Sequence, residues 1–171
     1  MQPEAERDYV EYVSARLPRL HHAAYLLCGD AHRADDIVQA ALTALYLSWR
    51  RARAADDLDA YVHKILIHKF VDERRSRWSR VVLRSAWVDS ALPEAPGVEE
   101  RDEIENALRR LPPGRRSVLV LRYFCDLSVE ATAEALGCSV GTVKSQTARG
   151  LAALREVLGN SESMVGQREM R

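Results

Sequence analysis

The chain has 171 residues, 47% hydrophobic and only 6% aromatic, with 25 cationic and 25 anionic side chains. That length suits one or two small cores, and abundant Ala, Leu and Arg with little glycine favours helices over strands. No apolar run approaches the roughly 20 residues of a membrane span, and the acidic opening Met-Gln-Pro-Glu-Ala-Glu-Arg-Asp lacks a signal peptide's apolar segment. A cytoplasmic protein without a membrane partner is expected.

The neutral total hides segregation. Residues 61–84 carry seven cations (Lys64, Lys69, Arg74, Arg75, Arg77, Arg80, Arg84) against Asp72 and Glu73, a balance of plus five. Residues 89–105 carry seven anions against Arg101, a balance of minus six. Such blocks suit a basic nucleic-acid face beside an acidic connector. A chain with no net charge should bind duplex DNA weakly when alone.

In chain order, residues 7–16 read as a short helix stopping near Pro18, and a second run reaches Cys28. Gly29-Asp30 breaks the pattern. Residues 31–53 then read as one long helix with Val38, Ala41, Leu42, Leu45 and Trp49 inward. Its outward side carries Asp36, Gln39, Ala40, Thr43, Leu47 and Arg50, and a leucine among polar groups hints at a partner surface. Residues 58–78 form the next helix, with Leu58, Val62, Ile65 and Leu66 inward and Tyr61 at the edge. Opposite lie His63, Lys64, Ile67, Phe70, Val71, Arg74 and Arg75. Apolar groups between cations suit single-stranded DNA, where cations track phosphates and apolar side chains receive unstacked bases. The alternative is an ordinary basic helix with a second packing face.

From residue 79 to 98 periodicity fades, ending in Leu-Pro-Glu-Ala-Pro-Gly-Val, an irregular linker by composition. Residues 99–111 form a short helix with Ile104, Ala107, Leu108 and Leu111 inward. Pro112 and Pro113 start another over 115–124, packed through Val118, Leu119, Leu121 and Tyr123. Residues 159–171 are polar and aperiodic, which suits a frayed, flexible tail.

Residues 127–154 hold two short helical patterns meeting at a glycine, the sequence form of a helix-turn-helix. Ser128 caps the first, with Val129, Ala133 and Leu136 apolar; Gly137 supplies the positive φ that turns the chain. Ser139 caps the second, whose inward stripe is Val140, Val143, Thr147, Leu151 and Leu154. Its opposite face carries Gly141, Thr142, Ser145, Ala148 and Arg149, flanked by Lys144 and Gln146. Residues 140–155 hold three cations and no anion, whereas a solvated face usually mixes both signs. Low bulk, hydroxyls, amides and cations are what a helix entering a major groove needs.

Leu-Gly-Cys-Ser-Val-Gly-Thr-Val-Lys-Ser-Gln-Thr-Ala-Arg-Gly-Leu, residues 136–151, closely resembles region 4 of bacterial extracytoplasmic-function (ECF) sigma factors, and its Ser-Gln-Thr form looks most like the SigE-family branch. Leu-Pro-Pro-x-x-Arg followed by Val-Leu-Val-Leu-Arg-Tyr resembles the opening of that region. Upstream, Ala34-Asp35-Asp36-Ile37-Val38-Gln39 resembles sigma region 2.2.

The resemblance implies an all-α protein of two small helical domains. Residues 1–80 would be sigma region 2, 81–98 a linker, 99–158 sigma region 4, and 159–171 a tail. It implies binding to RNA polymerase core, at its clamp and flap regions, and promoter-specific transcription initiation, with an anti-sigma factor as a further partner. Asp36, Gln39, Ala40, Thr43 and Leu47 would meet the polymerase. Tyr61, His63, Lys64, Ile67, His68, Val71, Arg74 and Arg75 would recognise and open the −10 element. Many relatives have asparagine where this chain has His68. Ser139, Thr142, Lys144, Ser145, Gln146 and Arg149 would read the −35 element. The resemblance implies no catalytic residue, metal, cofactor or small-molecule substrate.

Two other readings compete. A free-standing helix-turn-helix regulator would bind an operator as a dimer, but no sustained heptad pattern supplies a dimer seam. A small metalloenzyme could draw on His21, His22, Cys28 and His32, but a second close ligand pair is missing. Cys28, Cys125 and Cys138 are odd in number and far apart, as reduced, partly buried thiols would be.

Overall fold

A computed structural model describes residues 3–83 and 101–168, with side chains over 3–77 and 103–159. Every regular element among the described residues is helical, and the chain divides into two compact units, Met1–Arg80 and Val81–Arg171.

The first unit begins with α1, Pro3–Cys28, a single helix running through Pro18. The expected break there does not occur. Proline inside a helix costs about 3 kcal/mol, because it removes an N–H and crowds the preceding turn. Both halves of α1 are nevertheless held by the same unit. Beyond Pro18, Leu20, Ala23, Ala24, Leu26, Leu27 and Cys28 are buried, and each large apolar side chain among them is worth about 1.5–3 kcal/mol. Before it, the Tyr9 hydroxyl donates to Leu42 O at 3.0 Å, and Tyr12 and Arg16 both donate to Asp59. Ser14 and Pro18 are exposed, so water can take the carbonyl left without its usual N–H.

Gly29, at φ 72°, ends α1, and the Asp30 carboxylate accepts the Arg33 N–H to cap α2, Ala31–Leu47. The inward stripe holds Ala34, Ile37, Val38, Ala41 and Leu45, and Leu42 is half-buried. The single helix expected to residue 53 is interrupted at Ser48. There the side-chain hydroxyl donates to Ala44 O at 2.8 Å, a back-bond that competes with the regular ladder. A short α3, Trp49–Ala52, follows. Trp49 is buried, with Tyr9 edge-on at 5.3 Å and Tyr12 tilted at 5.7 Å.

Helix α4 spans Leu58–Leu83, five residues beyond the expected end at 78. Residues 81–83 of the expected linker are thus helical, and the rest of it, 84–98, lies outside the described residues.

The second unit contains α5, Arg101–Arg110, in which Ala107 and Leu108 are buried, as is Leu111 just after it. Residues 99 and 100 of the expected helix lie outside the described residues. Ile104, expected inward, is 54% exposed. Periodicity gives a side chain's direction, not whether anything lies in front of it.

Helix α6, Pro113–Leu119, widens into a π-helical turn over Val120–Phe124, with Cys125 N–H donating to Val120 O at 3.0 Å. Val118, Leu119 and Leu121 are buried as expected, and Val120 with them. Tyr123 is 60% exposed instead of inward. Helices α7, Val129–Leu136, and α8, Val140–Arg168, complete the unit, and α5, α6 and α7 all pack on α8. The tail expected from residue 159 is helical to Arg168. No proline interrupts 159–168, so nothing in the backbone stops the ladder there.

Candidate nucleic-acid interface

The turn between α7 and α8 is built from local hydrogen bonds. The Ser128 hydroxyl oxygen accepts the Ala131 N–H at 3.0 Å. Gly137 sits at φ 65°, ψ 39°, with its N–H on Glu134 O at 3.2 Å and the Cys138 N–H on Ala133 O at 3.0 Å. This is the paired-carbonyl closure that a left-handed residue after a helix makes possible. The Ser139 oxygen then accepts the Thr142 N–H at 3.1 Å and starts α8.

On α8, Val143 is 0% exposed and anchors the helix; Thr147, Leu151 and Leu154 are half-buried behind it. Val140, expected in the inward stripe, is exposed, being the first residue beyond the turn. Gly150 is buried against α6, and a β-carbon there would lie 3.1 Å from Leu119 Cδ1. Glycine in the helix did not announce this approach, since an added β-carbon at Gly159 of the same helix would meet nothing within 4 Å.

The opposite side is open. Ser139, Gly141, Thr142, Lys144, Ser145, Ala148 and Arg149 are all exposed, and Gln146 is half-buried. The Ser139 and Thr142 hydroxyls lie 2.9 Å apart, and the Ser145 hydroxyl donates to Thr142 O at 3.1 Å. The row thus presents hydroxyl oxygens, an amide and cations, without an anion before Glu156.

In the first unit, Asp36, Gln39, Ala40, Thr43 and Leu47 are exposed together along α2, Leu47 at 81%. Asp35 pairs with His21 Nε2 at 2.7 Å, whereas Asp36 has no partner among the described residues. The Thr43 hydroxyl is turned back onto Gln39 O at 2.9 Å.

The expected DNA face of α4 needs correction. Ile67, Phe70 and Val71 are 3%, 2% and 4% exposed, so Ile67 and Val71 are core residues and receive no base. Together with Val62 and Leu66 they form an apolar arc covering half the helix at 100° per residue. The second-packing-face reading therefore holds for these residues, and Ile65, expected inward, is only half-buried at the edge. What remains open is Lys64, His68 and Arg75, with Tyr61, His63 and Arg74 half-buried beside them. His63 Nδ1 lies 2.8 Å from Asp59 O.

Sequence reasoning also missed the ion pair that removes an anion from this basic helix. Arg33 donates from Nε and Nη2 to the two Glu73 oxygens at 2.9 and 2.7 Å, and from Nη1 to Cys28 O at 3.1 Å. Its donation to the Glu73 carboxylate raises the Arg33 pKa, opposed by partial burial. Pairs between helices 40 residues apart in sequence leave no local signature. Of the four candidate metal ligands, Cys28 is buried and its thiol donates to Asp30 O at 3.1 Å, and His21 faces Asp35. Among the described residues no group of three or more His, Cys, Asp or Glu is placed to hold a metal ion. No described helix is long and apolar enough to cross a membrane.

Residues 12–80 match Sigma-70 region 2, and residues 101–154 match Sigma-70, region 4. The chain is 35% identical over 157 residues to the RNA polymerase sigma-E factor of Streptomyces coelicolor, covering 88% of this chain and 86% of that one. It is 32% identical over 149 residues to the ECF RNA polymerase sigma factor EcfG of Rhodopseudomonas palustris, covering 85% and 82%. Among solved structures, the sigma factor RpoE, in its co-crystal structure with the anti-sigma factor NepR from Bartonella quintana, aligns with a TM-score of 0.66 at 26% identity, over 90% of this chain and 98% of that one. The capped helix-turn-helix, the all-helical units and these likenesses agree: the chain belongs to the ECF sigma factors of the sigma-70 family, which bind RNA polymerase and direct promoter-specific transcription initiation.

Proposed function

We propose that residues 1–80 hold polymerase core and open the −10 element, residues 99–158 read the −35 element, and the chain works in the cytoplasm without a catalytic step of its own. Asp36, Gln39, Ala40, Thr43 and Leu47 meet the core. Lys64, His68, Arg74 and Arg75, with Tyr61 and His63 at the edge, engage the melted −10 strand through phosphates and stacked bases. Ser139, Thr142, Ser145 and Gln146 reach −35 base edges from the N-terminal part of α8, while Lys144 and Arg149 hold phosphates. By likeness to RpoE bound to NepR, an anti-sigma protein is a further partner.

The observation that carries this reading is the division of α8: Val143 fully buried, with an anion-free, hydroxyl- and cation-bearing row open on the other side. The test is initiation by holoenzyme reconstituted from this chain and polymerase core on promoters randomised across the −35 element. A defined −35 preference that changes with substitutions on α8 supports the assignment; transcription indifferent to all of them defeats it. Tight, specific duplex binding by the free chain at physiological salt would instead favour an operator-binding regulator.

A further inference from the structure

The exposed row on α2 does not end with the helix. Beyond the Ser48 break the buried side carries on from Leu45 to Trp49 and Ala52, which leaves Arg50 and Arg51 of α3 exposed on the other side. Neither has an ion-pair partner among the described residues, although neighbouring arginines do: Arg53 meets Asp8 at 2.9 Å, and Arg33 meets Glu73. The far end of the row carries the equally unpaired Asp36. Between the two charged ends stands Leu47, 81% exposed, beside Tyr46 at 40%. From residue 36 to 47 the row on α2 is about 16 Å long at 1.5 Å per residue.

An acid near a helix start and cations near its end also complement the helix dipole, worth about 0.3–1 kcal/mol. The dipole does not explain a bare leucine and a half-open tyrosine between them. A partner surface with graded charge explains both.

We infer that Arg50 and Arg51 belong to the polymerase-binding face, and that the core surface they meet is basic opposite Asp36, apolar opposite Leu47 and acidic opposite the two arginines. The inference rests on reading α2 as the core-binding helix. Exposed, unpaired charges at both ends of a face act chiefly on the encounter: they orient the partner and raise the association rate, with an effect that fades as salt rises. An apolar centre then holds the complex once water has left it.

The experiment uses the full chain and polymerase core: association rates are measured without DNA at low and high salt, and promoter binding by the reconstituted holoenzyme is measured separately. Four forms are compared: the natural chain, Arg50→Glu with Arg51→Glu, Arg50→Lys with Arg51→Lys, and Asp36→Ala with Gln39→Ala. Thermal melting checks that each is folded, and an Arg50→Ala, Arg51→Ala form replaces the reversal should that fail to fold. The charge reversal is expected to slow association about tenfold at low salt and much less at high salt, while the lysine form stays close to the natural chain. If reversal leaves association unchanged while Asp36→Ala with Gln39→Ala weakens it, the extension is overturned and the α2 reading stands. If neither changes, the α2 reading itself fails, and the extension with it. If the reversed form joins core normally but its holoenzyme loses promoter affinity, the arginines serve nucleic acid and the proposal is overturned.

Discussion

Ser139 and Thr142 hold one proton between their hydroxyls: the oxygens lie 2.9 Å apart, and the Ser139 oxygen already accepts the Thr142 N–H at 3.1 Å. One O–H is spent inside the pair, and the other is free for a base edge. The Ser145 O–H is spent on Thr142 O at 3.1 Å, which leaves its oxygen as an acceptor. In the major groove the amino donors are adenine N6 and cytosine N4. Ser145→Ala is therefore expected to cost about 1–3 kcal/mol and to relax a preference for adenine or cytosine at one −35 position. Lys144→Ala should weaken all promoters alike and flatten the salt dependence. A −35 library transcribed by holoenzyme at two salt concentrations reads both effects, and a base-specific change from Lys144→Ala would refute the division.

Arg33 ties the end of α1, the start of α2 and the middle of α4 together through three donors. Lysine keeps the charge but cannot span both Glu73 oxygens and Cys28 O with a planar fork. Arg33→Lys is expected to lower stability by about 1–2 kcal/mol, since the pair is half-buried and its hydrogen bonds are charge-assisted. Urea denaturation of the full chain measures this. A loss no larger than that of an exposed substitution would show that the clamp holds nothing.

The Asp59 carboxylate accepts from Arg16 and then from Tyr12, and these bonds hold its pKa below the ordinary 3.8. A depressed acid stabilises the fold above its unfolded pKa, and that contribution is lost as pH falls through the lower folded value. The carboxylate is 43% exposed, so screening keeps the effect small, under about 1 kcal/mol. Asp59→Asn should thus be slightly less stable than the natural chain near neutral pH, with the gap closing below about pH 4. Denaturation at neutral and acidic pH checks it; a gap that widens in acid would contradict the sign.

Gly150 faces Leu119, with 3.1 Å between an added β-carbon and Leu119 Cδ1 or Cγ. Alanine would gain about 1 kcal/mol of helix propensity against a tight contact, so its net effect should be small. Valine overfills the site and should cost about 1–3 kcal/mol. Leu119→Ala opens space opposite, so the cost of Gly150→Val should fall in that background. Melting of the four forms of this cycle gives the coupling, and strict additivity would mean the two side chains do not meet.

Much of this protein was legible before any fold was known, and the legible parts share a cause. Caps at Asp30, Ser128 and Ser139, and the left-handed turn at Gly137, depend on residues within one helical turn, so local chemistry sets them. The open faces of α2 and α8 followed from 3.6-residue periodicity, because a helix with one apolar stripe can bury only that stripe. Tertiary structure decided what depends on distant partners. Pro18 stays inside a helix because both sides of it are held by the rest of the first unit. Ile67 and Val71 lie in the core because α4 is covered over half its circumference, while Ile104 is left bare, and periodicity cannot count the neighbours that cover a helix. The π-helical turn over Val120–Phe124, with Tyr123 exposed on it, was announced by no residue pattern. Arg33 and Glu73 met only once α2 and α4 had packed: contact between residues far apart in sequence is a property of the folded chain, not of any stretch within it.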